Sequence, residues 1–168
     1  MKTKIFIGTL IFCLVVVGII SVSHTKKEIP LPEIPQEQRE FFDTSLSTQY
    51  IHAQDTWPPV VVHTDEVFSC VESGEEVLQN GKTTQKTIGI KNYCITVASE
   101  GAAGSIYTTY TYATSYKNTT LKTTFTLRLV QCENYDDPNK TACIQERGSF
   151  DADILGIHLL ENYLLLHK

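Results

Sequence analysis

From Leu121 to Val130 the chain alternates. Leu121, Thr123, Phe125, Leu127 and Leu129 share one parity, and Lys122, Thr124, Thr126 and Arg128 the other, with the apolar Val130 as the exception. Successive strand side chains point to opposite faces, so a period of two predicts a half-buried strand. Ile106 to Thr114 is rich in Thr and Tyr, which suit a pleated surface, and Ile106, Tyr110 and Tyr112 fall on its even positions. Tyr116-Lys117-Asn118-Thr119 separates the two runs, and Asn tolerates the left-handed backbone of a tight turn. The two runs predict a hairpin with a cysteine beyond each end, at Cys94 and Cys132.

The flanking pattern extends this sheet. Val60 to Val62 can start a strand after Trp57-Pro58-Pro59, which reads as the domain entrance. Val67 to Val71 reads as another strand, and Lys86 to Ile90 with Tyr93 to Ala98 as a second hairpin closed near Lys91-Asn92. The polar stretch from Glu72 to Thr83 and the small-residue stretch from Ser99 to Ser105 read as loops. After Cys132 the pattern turns helical. Asp137-Pro138 is a start signal for a short helix ending near Arg147 and Gly148. Ser149 or Asp151 can cap a second, with Ile154, Leu155, Ile157, Leu159, Leu160 and Tyr163 as its apolar content. The predicted class is α+β: an antiparallel sheet of hairpins with one or two C-terminal helices on one face.

Ahead of this lies a different kind of sequence. Lys2 and Lys4 precede Ile5 to Val22, 18 residues without charge. A helix of that length spans roughly 27 Å, close to the hydrocarbon core of a bilayer. The stretch is read as a single N-terminal transmembrane anchor. A signal peptide cleaved near Ser21-Val22-Ser23, leaving a secreted protein, is the alternative. Cys13 lies inside the run and reads as one more hydrophobe. Pro30, Pro32 and Pro35 then stiffen a spacer, and Gln36 to Thr44 is a solvated stalk or a short helix. The expected domains are therefore residues 1–23 (anchor), 24–55 (linker) and 56–168 (an extracytoplasmic β-rich domain).

Charge and cysteines narrow the setting. The chain of 168 residues has a net charge of -5, and without Lys2 and Lys4 it keeps 12 basic against 19 acidic residues, or -7. Nucleic acid rewards clustered Lys and Arg, so it is excluded as a partner. Beyond Cys13 there are four cysteines, an even set after an export signal, which predicts two disulfides in an oxidising compartment. Of the three pairings, Cys70–Cys94 with Cys132–Cys143 is favoured, tying two strands and stapling the loop before the helix. No C-x-x-C pair is present and His52, His63, His158 and His167 show no ligand spacing, so no zinc site and no other cofactor is expected.

Candidate chemistry is sparse. Glu133, Asp136, Asp137, Glu146, Asp151 and Asp153 crowd one region, but without the D-x-[DN]-x-[DN]-G frame of a calcium loop they read as helix caps and solvated charge. His63, Asp65 and Glu66 could serve a serine such as Ser69 or Ser105, yet no G-x-S-x-G elbow exists. Gly101-Ala-Ala-Gly104 opens a strand rather than a helix, so it is no phosphate cradle. Tyr107 and Tyr116 are the tyrosines with a face free for sugar or peptide. Asn118-Thr-Thr120 and Asn139-Lys-Thr141 match the glycosylation acceptor.

Three stretches carry a resemblance: YCITVASEGAAGSIYTTYTYA, FTLRLVQCENYDDP and ACIQERGSFDAD. From Trp57 to Ile157 the chain resembles a family of small, membrane-anchored, exported bacterial proteins of the candidate-phylum type. That resemblance implies a tethered domain outside the cytoplasm and sets both glycosylation motifs aside, and it brings no activity with it. Ser99-Glu-Gly-Ala-Ala-Gly-Ser-Ile-Tyr107 is also similar in outline to the S-G-S-G-A-R-Y loop of membrane-bound lysozyme inhibitors, with Ile106 where that family has a basic residue. The expectation is a non-catalytic binding or structural module at the cell membrane. Its expected contact residues are Ser99, Gly101, Gly104, Ser105 and Tyr107, and its partner an envelope protein or the cell wall. Inhibition of a cell-wall hydrolase is the alternative, and a small hydrolase built on His63 a remoter one.

Overall fold

The computed structural model describes residues 46, 48–54, 57–75 and 81–167. The predicted anchor, most of the linker, the Gln36–Thr44 helix and residues 76–80 lie outside the described residues. Six strands form one antiparallel sheet: β1 (Ile51–Gln54), β2 (Val61–Thr64), β3 (Lys82–Ile88), β4 (Lys91–Ala102), β5 (Ser105–Tyr116) and β6 (Thr119–Val130). Their order is β1-β6-β5-β4-β3, with β2 also on β6. A 3-10 turn (Cys132–Asn134) leads to helices α1 (Asn139–Ser149) and α2 (Ala152–Leu166). Among the described residues no helix is long and apolar enough to cross a membrane.

The alternation predicted for β5 and β6 decides which face is buried. Tyr112, Thr114, Leu121, Thr123, Phe125 and Leu127 are all buried, as are Tyr93 and Ile95 of β4, and α2 lays Leu155, Ile157, Leu159, Leu160 and Leu164 on them. Phe125 stacks between Tyr110 and Tyr112 at 5.5 and 5.9 Å, with Trp57 edge-on at 5.8 Å. Asp151 caps α2 by accepting from the N–H of Asp153 at 2.9 Å, as its sequence position predicts. Asp137 reaches α1 in the same way, accepting from the hydroxyl of Thr141 at 2.6 Å and its N–H at 3.3 Å. Ile154, part of the apolar content read for α2, is exposed.

Several boundaries differ from the sequence reading, among them the start of β3, which lies at Lys82 rather than Lys86. The sheet takes in Ile51–Gln54, assigned there to the linker: Ile51 pairs with Leu129 and is fully buried. Trp57-Pro58-Pro59 is thus a break between β1 and β2, not the domain entrance. The hairpin β3–β4 turns at Gly89-Ile90, two residues early, where Gly89 takes φ +61°. The left-handed residue of the β5–β6 turn is Lys117, at φ 53°, rather than Asn118.

A further difference is Val67–Val71, which is not a strand but part of a strap. Residues 65–75 leave β2, and Thr120 of β6 donates to the Glu66 carbonyl at 2.9 Å. Farther on, Cys70 is bonded to Cys94 of β4, the Glu72 carboxylate accepts from the Gln85 N–H at 2.8 Å, and Ser73 bridges Thr83 on the edge of β3. The strap therefore crosses the sheet face that α2 leaves open. Its apolar residues stay outside, with Val67 77% and Val71 73% exposed.

Both favoured disulfides are present, Cys70–Cys94 and Cys132–Cys143. The first closes a loop of 24 residues in sequence separation, which constrains the unfolded chain by about 3 kcal/mol in the loop-entropy account. Replacing Cys70 and Cys94 together by serine is expected to lower the unfolding free energy by about that amount in urea titrations. A loss under about 0.5 kcal/mol would show that hydrogen bonds alone hold the strap.

Candidate functional site

The stretch Ser99–Ser105 is not a loop. Strand β4 continues to Ala102, which pairs with Ser105, and only Ala103 and Gly104 turn the chain. Both have positive φ, 48° and 73°, the requirement of a type I′ hairpin turn. Gly104 is also needed for space, because a Cβ there would sit 2.9 Å from the Asn134 amide nitrogen. That amide donates to the Gly104 carbonyl at 3.0 Å, and the Gln131 N–H donates to the same oxygen at 3.2 Å, so the hairpin tip is tied to the 3-10 turn.

Because the tip is strand, its residues alternate between faces. Ser99 faces the α2 side, where its hydroxyl and that of Thr108 share a hydrogen bond of 3.0 Å, and Gly101 follows it with open space around it. Ser105 and Tyr107 face the other way, so the five candidate residues are divided between two surfaces. On the open face the register adds residues that the sequence reading left out. Glu100 pairs with Tyr107, Tyr107 with Arg128, and Arg128 with His52 of β1. Four strands thus contribute one row of carboxylate, phenol, guanidinium and imidazole. Arg128 Nε donates to the buried Ser105 hydroxyl at 3.0 Å, which fixes the guanidinium stem beside the phenol.

Two uncharged rows lie next to it. Ala98, Thr109, Thr126 and Gln54 form one, and Thr83, Thr96, Thr111 and Thr124 the other. Their hydroxyls pair across strands, Thr109 with Thr126 at 2.9 Å, Thr111 with Thr124 at 3.1 Å and Thr83 with Thr96 at 2.9 Å. Such pairs stabilise an antiparallel sheet, and each hydroxyl retains capacity for an outside partner. The strap borders this area on one side. On the other, Val130 explains its break in parity: it packs with Tyr50, Cys132 and Cys143 in a second small cluster at α1. Glu146 of α1 accepts from the N–H groups of Gln49 at 3.1 Å and Tyr50 at 2.6 Å.

The remaining candidates are dispersed. His63 touches the Thr119 hydroxyl and lies edge-on to Tyr116 at 5.7 Å. It pairs with Leu121, whereas Ser105 pairs with Val130, nine residues along β6, or about 30 Å. Those two side chains form no catalytic pair. The acidic group is divided as well, with Asp137, Asp151 and Glu146 on backbone groups and Asp153 on Lys86 and Tyr112. Among the described residues no cluster of three His, Cys, Asp or Glu could hold a metal ion. No family model matches the chain, and no curated protein or solved structure does either.

Proposed function

We propose that the chain is a non-catalytic binding module, tethered outside the cytoplasm by its N-terminal segment, whose contact surface is the open sheet face around Tyr107. The observation that carries this reading is the row Glu100, Tyr107, Arg128 and His52, set beside eight uncharged floor residues. An aromatic ring flanked by a hydrogen-bonding cation and anion, with neutral hydroxyls alongside, suits a polar, extended ligand. An envelope protein or the cell wall fits that description. A tether raises the local concentration of the module, so even a weak contact is effective. The exposed turn Ala103-Gly104 favours a second form of the same reading, in which the tip enters the cleft of a cell-wall hydrolase and inhibits it.

The full chain, immobilised and exposed to envelope extract and to peptidoglycan, is expected to retain one of them. Tyr107→Ala should reduce retention at least tenfold, equivalent to about 1.4 kcal/mol, while Gly101→Ala, which meets open space, should leave it unchanged. Equal retention by the wild type and Tyr107→Ala overturns this placement of the surface. Slowed wall lysis by an added glycan hydrolase separates the inhibitor form from simple binding.

A further inference from the structure

We propose that the edge of β3 and the groove between it and α2 form a docking site for an extended peptide that carries an apolar and a basic side chain on one face. Strand β3 ends the sheet order, so only one of its edges is covered by β4. Ser73 and Thr83 exchange both backbone hydrogen bonds, at 2.7 and 3.1 Å, which shows that Thr83 turns its N–H and C=O outward. Gln85, two residues on, also points its N–H outward, to Glu72. By the same alternation the N–H and C=O of Thr87 face outward, and no strand of the described residues pairs with this edge beyond Thr83. The strap thus occupies the first half of the edge and leaves the second half as a template for strand addition.

The groove beside it supplies the side-chain preferences. It is a cavity of about 260 Å³, lined by Lys86, Ile88, Ile154, Ile157, His158 and Glu161 along with two aspartates at the α2 N-terminus. Ile154 is 60% exposed although it sits at the groove wall, and Ile90, at the turn that follows Ile88, is fully exposed. Asp153 binds Lys86 at 2.7 Å, and the groove also carries the carboxylates of Asp151, which caps α2, and Glu161, which accepts from Tyr93, so acidic groups outnumber the one lysine. Helix α2 runs over the sheet in the direction of β3: Gly156 meets Tyr112, level with Thr84, and the His167 carbonyl accepts from Tyr116, two residues beyond the level of Lys86. The eight helical rises from Asp153 to Glu161 cover about 12 Å, the length of about four residues of strand. A bound strand therefore places an apolar side chain over Ile154 and, four residues away on the same face, a Lys or Arg at Glu161.

This site lies on the sheet face opposite Tyr107, so its test is independent of the contact surface proposed above. The probe is a fluorescein-labelled acetyl-Thr-Ile-Thr-Thr-Thr-Lys-amide, titrated into the full-length chain by fluorescence anisotropy. It is expected to bind at least tenfold more tightly than the same peptide with Glu in place of Lys. Thr87→Pro removes an outward N–H without touching the β3–β4 ladder and should weaken binding at least tenfold. Ile154→Lys, an exposed helix position that leaves the fold intact, should do the same, and Glu161→Gln should shrink the Lys-over-Glu preference to under threefold. Absent binding, or binding unchanged by both Thr87→Pro and Ile154→Lys, overturns the proposal. So does a dimer of the chain that Thr87→Pro dissociates, since a second copy then occupies the edge.

Discussion

Between pH 10 and pH 12 the domain is expected to lose up to about 5 kcal/mol of stability, because two buried phenols resist ionisation. Tyr93 and Tyr112 are both fully buried. Burial is the largest cause holding their pKa values well above the ordinary 10, followed by the hydrogen bond each donates to a carboxylate and then that carboxylate's charge. Tyr93 donates to Glu161 at 3.1 Å and Tyr112 to Asp153 at 2.8 Å. In the unfolded chain both phenols ionise near pH 10. Above that pH the unfolded state binds fewer protons than the folded one, so stability falls as pH rises; below it the two groups contribute no slope. Each contributes at most about 1.4 kcal/mol per pH unit, and the two together at most about 2.7. Lys86 has the opposite chemistry and the same direction. Its pKa is raised, chiefly by the hydrogen bond it donates to Asp153 and then by that residue's charge, so its contribution is lost as pH climbs through the folded value. Its side chain is 47% exposed, and solvent screens most of that contribution. Urea unfolding at pH 9, 10, 11 and 12 measures the slope. Tyr93→Phe and Tyr112→Phe should each remove about half of it. A slope unchanged in the double variant would assign alkaline unfolding to other groups.

The parts of this fold that show in the sequence are those where one physical constraint acts locally. Strands β5 and β6 alternate because one face meets α2 and the other water, so Leu121, Phe125 and Leu127 declare their side without reference to any partner. Asp151 announces α2 because a capping side chain and the backbone it serves are neighbours. What depends on pairing across the sheet does not show in this way. Strand β1 is only four residues, IHAQ, with one fully buried side chain, and β6 makes it a strand. Ser99 to Ala102 has the small residues of a loop and is extended because β5 runs alongside it. Parity places Tyr107 and Arg128 on the same face, but only the register aligns them with Glu100 and His52, residues distant in the chain. The apolar run Val67–Val71 imitates a buried strand, yet its valines are exposed because the disulfide at Cys70, not burial, holds the strap in place.

Gly156→Ala is expected to destabilise the domain by about 2 kcal/mol, although alanine is the better helix former. A Cβ built on Gly156 would lie 2.2 Å from Tyr112 Cδ2, 2.3 Å from Cε2 and 2.5 Å from Cγ. No heavy-atom contact survives at that distance, so the ring or the helix has to move. The ring cannot easily yield: Phe125 stacks on it at 5.9 Å and Asp153 holds its hydroxyl at 2.8 Å. The helix is fixed as well, since Leu155 and Leu160 on the same element are buried in the core beside it. Overpacking of this kind costs about 1–3 kcal/mol or more, against a gain of up to about 1 from helix propensity. Gly148 in α1 is the matched control, because nothing lies within 4 Å of its Cβ position, and Gly148→Ala should stabilise by up to about 1 kcal/mol. Removing the ring isolates the contact: in a Tyr112→Leu background Gly156→Ala should cost much less than in the wild type, a coupling read from a double-mutant cycle of urea midpoints. If Gly156→Ala matched Gly148→Ala in sign and size, α2 would have to ride farther from the sheet than this packing requires.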